Sequence, residues 1–216
     1  MNEKQNENQT PKTSRIEAFS DGVFAIVITL LVLELRVPKI ANGENWYELI
    51  TALLGLIPQF IGFVMSFFFV AVFWIVHHQF FHTLDFSRRG LLWLNNLFLF
   101  FITFIPFPTA LLGAYYKNLT AVIFFGLTFF LTSLTFAVLR LYAWTQGEIA
   151  NADFAKDSIK NALKRSFLVP LIYLVGIGTA FFSLPAAIII YFLTPLLLVK
   201  PMTLETNAAE KHNIEI

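Results

Sequence analysis

Residues 15–33 read RIEAFSDGVFAIVITLLVL. Ser14 and Glu17 stand at capping-box spacing, so a helix is expected to begin at about Arg15. From Gly22 to Leu33 only Thr29 is polar. With its flanks the run reaches the roughly 20 residues that a helix needs to cross hydrocarbon. Asp21 lies almost two turns inside that helix. An ionisable group at membrane depth costs several kcal/mol unless partnered, which makes it a functional candidate. Asp21 is read either as buried and hydrogen-bonded or as solvated at headgroup level.

The whole chain extends this reading. It has 216 residues, 57% of them apolar and 13% charged, against about 45–50% and 25% in soluble domains. It carries 26 phenylalanines. That composition excludes a soluble enzyme, a disordered chain and a nucleic-acid-binding module. Absence of cysteine removes disulfides, thiolate catalysis and cysteine-bound metals. Six stretches are apolar enough to span: 16–37, 47–76, 91–114, 119–144, 166–182 and 184–199. The last two are short and are read as a tight hairpin broken at Ser183-Leu184-Pro185, with one broken or re-entrant segment as the alternative. The expectation is an all-α membrane protein with six transmembrane helices in residues 15–200. Polar tails, 1–14 and 201–216, are expected to be disordered, and no signal peptide is read in the first.

Net charge is +1 and names no partner, but its distribution is informative. With the N-terminus inside, the inner segments hold Lys4, Lys12, Arg15, Arg88, Arg89, Lys156, Lys160, Lys164, Arg165, Lys200 and Lys211. Arg36, Lys39 and Lys117 fall outside, and Arg140 lies near the inner end of the fourth helix. The positive-inside rule therefore predicts cytoplasmic N- and C-termini. Trp46, Tyr47, Tyr115 and Tyr116 fit the outer interface, and Trp93, Tyr142 and Trp144 the inner one. Segment 145–164, with Glu148, Asp153, Lys156, Asp157, Lys160 and Lys164, reads as a solvated inner link with helical spacing. Asn118-Leu119-Thr120 matches the glycosylation pattern, a weak signal.

Polar residues inside the spans are few. The second span ends in His77, His78 and His82, with Asp85 following. His78 and His82 share a helix face, and two imidazoles with a carboxylate can bind zinc. Without a third histidine or an HExxH motif, hydrogen bonding to a carboxylate or carbonyl is the preferred role, and no metal or other cofactor is expected. Asn95 and Asn96 open the third span, where asparagine usually bonds to a neighbouring helix. These groups share the inner level of Asp21, which predicts a polar cluster tying the first three helices together. No phosphate-binding loop, carbonyl-type potassium filter, arginine ladder or nucleophile–base pair is found. The chain is not expected to be an enzyme.

The run from Arg15 through Phe19-Ser20-Asp21 and on to Leu30 resembles the Arg-x-x-x-Phe-Ser-Asp signature of the transmembrane protein 175 potassium channels. Animal members carry two six-helix repeats and form dimers. This chain has one signature, as in the prokaryotic members, which form tetramers. The resemblance implies a multi-pass homotetramer in a prokaryotic cell membrane, passing potassium ions along the first helices. It places the constriction and gate at Ile26, further apolar layers at Leu30 and Leu33, and a selectivity residue at Thr29. It assigns Arg15, Phe19, Ser20 and Asp21 to bracing that helix, with Trp74, His77 and Asn95 as partners.

Helical geometry is compatible with that division. At about 100° per residue, Ile26, Leu30 and Leu33 fall within roughly 60° of one another, and Ser20 and Asp21 point away from them. A helix apolar all round has such a stripe on every side, so periodicity alone does not choose the pore face. Two functions stay open: a potassium-selective leak channel, and a proton-permeable pathway or secondary transporter using Asp21, His77 or His78.

Overall fold

The computed structural model describes residues 13–41, 43–84, 87–147 and 156–199, with the backbone alone for 156–160, 162, 198 and 199. All regular structure among the described residues is helical. The first helix, α1 (Ser14–Leu30), tightens into a 3-10 turn at Leu31–Glu34 and turns extended at Leu35. Its N-cap is Thr13, without a side-chain bond. The expected Ser14/Glu17 capping box is not formed, because Ser14 already belongs to the first turn.

The second expected span divides into α2 (Trp46–Leu54) and α3 (Ile57–Phe81). Pro58 has no N–H to give to the Leu54 carbonyl, and here the ladder breaks, whereas the later helix Lys156–Ala180 runs on through Pro170. The third span bends for the same reason. Pro106 and Pro108 remove two ladder bonds, which separates α4 (Arg89–Phe104) from α5 (Pro106–Ala114). The fourth is continuous as α6 (Leu119–Thr145). Asn118 caps it, its side chain accepting from the Thr120 and Ala121 amides. The motif that resembles a glycosylation site is thus built into a helix start.

The fifth expected span begins earlier than 166, since its helix, α7, covers Lys156–Ala180. The inner polar helix and the apolar span are therefore one element where they are described. Ser183 closes the hairpin by accepting from the Ala186 amide at 3.4 Å. Stretch 184–199 follows as α8 (Leu184–Leu193) and α9 (Leu196–Val199), parted where Pro195 interrupts the ladder. Among the described residues five helical runs are long and apolar enough to cross a membrane, and α8 is a shorter apolar helix. Asp85, Glu148, Asp153, Lys200, most of the N-terminal tail and the whole 201–216 tail lie outside the described residues.

α6 is the spine, packing against α4, α5, α7 and α8. Between lipid-facing helices there is no water to expel, so close packing and interhelical bonds hold the bundle. Aromatic rings supply much of that packing. Phe69 meets Phe129 edge-on at 4.1 Å, Phe73 meets Phe136 at 5.6 Å, and Phe98 meets Phe136 at 5.1 Å. Such pairs contribute about 0.5–1.5 kcal/mol each beyond burial. Near the hairpin, Gly126 and Gly176 give their missing side-chain space to the Tyr191 ring. Ser66 joins α3 to α5 through a 2.6 Å contact with the Thr109 hydroxyl. Thr109 spends its own proton on the Ile105 carbonyl, so Ser66 is the donor.

α1 stands apart from this centre. It packs chiefly on α3 and α4 and is the least enclosed of the long helices.

A half-bare first helix and its polar brace

One face of α1 carries Ile16, Ser20, Phe24, Val27 and Leu31, all buried. Their three- and four-residue spacing makes a single stripe, and α3 and α4 cover it. The other side of α1 and its 3-10 turn carries Phe19, Ile26, Leu30 and Leu33, all exposed, with Ile26 60% and Leu33 68% accessible. Gly22 is open too, since a side chain there would meet nothing within 4 Å. Thr29 shares this bare side. Its hydroxyl hydrogen-bonds back to the Ile26 carbonyl at 2.7 Å and the Ala25 carbonyl at 3.1 Å. With its proton held by its own helix, Thr29 presents outward an acceptor oxygen and a methyl group.

The covered face is fixed by side-chain hydrogen bonds as well as packing. Asn95 Nδ2 on α4 donates to Ser20 Oγ at 3.0 Å. Asn95 Oδ1 lies 2.9 Å from His77 Nε2 on α3. With the amide oriented this way, His77 carries its proton on Nε2 and donates it to Asn95. The relay His77–Asn95–Ser20 thus ties three helices, and all three side chains are buried. His77 is also clasped by rings: Phe81 stacks on it at 4.4 Å, Phe98 at 5.8 Å, and Phe24 approaches at 5.5 Å. Beside the relay, the Trp74 indole donates to Asp21 Oδ1 at 2.9 Å. Asp21 is half-buried at the rim of the cluster.

Five residues named from the sequence therefore meet: Ser20, Asp21, Trp74, His77 and Asn95. Arg15 and Phe19 lie outside the cluster, exposed on α1. Reading the sequence missed the aromatic clasp on His77. Phe24, four residues after Ser20 on the same face, was its available signal. His78 and His82 stand apart from the relay and are hydrogen-bonded to each other through their Nε2 atoms at 3.1 Å. Among the described residues no set of three or more His, Asp or Glu could hold a metal ion.

A bundle of long apolar helices, with buried polar ties between α1, α3 and α4 and a bare flank on α1, defines a multi-pass membrane protein. A family model described as endosomal/lysosomal potassium channel TMEM175 matches residues 15–106, the stretch holding the whole brace. The chain belongs to the TMEM175 family, a family of ion channels and not of enzymes. A potassium channel of Chamaesiphon minutus is 36% identical over 176 residues, covering 80% of this chain and 86% of the relative. The solved structure of a homologue of the lysosomal potassium-selective channel TMEM175, from Chamaesiphon minutus, aligns with a TM-score of 0.77 at 33% identity. That alignment covers 87% of this chain and 96% of the other. The Danio rerio endosomal/lysosomal proton channel TMEM175 is 26% identical over 84% of this chain and 34% of its own length. The protein is thus a multi-pass protein of the plasma membrane.

Proposed function

We propose that this chain is a potassium channel whose pore is lined by the bare face of α1 from four copies. The observation that carries the reading is the two-sidedness of α1: one stripe bolted to α3 and α4, the other apolar and uncovered. A single helix cannot enclose a water-filled path, so a pore on this face needs several chains around an axis. Ile26 forms the narrowest ring, with Leu30 and Leu33 as further apolar layers that gate by dewetting. Thr29, offering an acceptor oxygen, meets the hydration shell of the passing cation. Ser20, Asp21, Trp74, His77 and Asn95 hold the helix at the register its ring requires; Arg15 and Phe19, exposed on α1, add to that brace only through contacts with a neighbouring copy. Six spans fill residues 15–200, with α8 and α9 together as the sixth, and both tails lie on the cytoplasmic side. The charge distribution supports that orientation.

Proton passage is the second reading, favoured by the name of the Danio rerio relative. The bare face counts against a residue relay, because residues 22–33 hold no titratable side chain. His77 is buried on the opposite side. Potassium efflux from liposomes decides between them, with pH equal on both sides and a protonophore present. Flux that continues down the potassium gradient alone supports the channel. Flux that stops without a proton gradient supports coupled transport.

A further inference from the structure

We propose that His78 and His82 form a two-imidazole site for a first-row transition dication, zinc foremost, at the end of α3. The site goes beyond the ion-channel reading and needs no flux to be detected. The residues stand one helical turn apart, so their side chains project from one face. Their Nε2 atoms share a 3.1 Å hydrogen bond, with the rings edge to face, so a metal ion would replace the shared proton, the donor ring shifting to its Nδ1–H tautomer. Two nitrogens bound to zinc at about 2.0–2.1 Å in tetrahedral geometry lie about 3.3 Å apart. The observed separation therefore matches one edge of a metal coordination shell with a shift of a few tenths of an ångström.

Preorganisation strengthens the site. The His78 ring stacks on Trp74 at 5.8 Å and 23°, and Trp74 is itself held by Asp21. His78 is half-buried and His82 exposed, so solvent reaches the pair and water can fill the remaining coordination positions. Two neutral imidazoles select zinc, copper(II) or nickel over magnesium and calcium, which prefer oxygen donors. His77 takes no part, because its Nε2 is committed to Asn95. The bound cation would hold the ring on which Trp74 rests, one contact away from α1.

The test uses purified, tag-free protein carrying His212→Ala, which removes the one histidine outside α3 and its cap. Titration calorimetry with zinc is expected to show one ion per chain. His78→Ala or His82→Ala should each weaken binding at least tenfold. Copper(II) bound at one equivalent to the same His212→Ala protein, with both α3 histidines present, should show two imidazole nitrogens by electron paramagnetic resonance. This second readout does not depend on how the alanine variants fold. Zinc affinity unchanged by either substitution, or a copper spectrum with fewer than two imidazole nitrogens, overturns the assignment.

Discussion

Asn95 carries more of the brace than any other side chain, because both ends of its amide are engaged. Its Oδ1 accepts from His77 and its Nδ2 donates to Ser20, all out of solvent. Interhelical hydrogen bonds in membranes average about 0.6 kcal/mol, with a maximum of about 1.7. Ser20→Ala loses one such bond and should cost about 1 kcal/mol. Asn95→Leu leaves the His77 N–H with no acceptor, and an unsatisfied buried group adds about 1–3 kcal/mol. Thermal melts in detergent should rank Asn95→Leu well below Ser20→Ala. Equal melting temperatures would mean that the relay does not hold the helices. Ile26 belongs to the other face, and its substitution should act on permeation instead. Ile26→Asn puts an amide on the bare stripe and, if the proposed ring is there, should wet it, raise conductance and lower preference for potassium over sodium. Leu30→Ala and Leu33→Ala should show weaker versions of the same change. Ratios of potassium to sodium conductance in planar bilayers measure it.

At the scale of elements, the hairpin of α7 and α8 depends on close approach. A side chain at Gly126 would run into the Tyr191 hydroxyl and ring, whereas one at Gly178 meets nothing within 4 Å. Overpacking of a filled site costs about 1–3 kcal/mol. Gly126→Ala should therefore lower the melting temperature, while Gly178→Ala leaves it unchanged or slightly raised. A Gly126→Ala protein as stable as its parent would show that α6, α7 and α8 are not packed this tightly. The same elements show what could be read beforehand. Apolar runs located the five helical runs long enough to cross a membrane, since a run of that length has one cheap solution in lipid. Prolines at 58, 106 and 195 were visible too. Whether they break or merely bend a helix depends on tertiary packing, and the divisions at α2/α3 and α4/α5 were not anticipated. The partners Trp74, His77 and Asn95 came from resemblance to the family, and spacing alone could not have chosen them. The capping box at Ser14 failed because the chain enters α1 already helical at Thr13.

For the whole molecule, the central claim is that the exposed stripe of α1 faces an ion path in an assembly of several chains. Its supporting asymmetry is large: Phe24 is 1% accessible and Ile26, two residues on, 60%. The natural absence of cysteine makes a direct test clean. Ile26→Cys and Phe24→Cys proteins are reconstituted into liposomes, and potassium efflux is recorded with pH clamped before and after a charged thiol reagent. Mass spectrometry reports labelling. The account predicts that labelling at Ile26→Cys blocks efflux, and that Phe24→Cys, buried against α3 and α4, stays unlabelled and conducting. Efflux that persists through fully labelled Ile26→Cys protein would contradict a pore along this face.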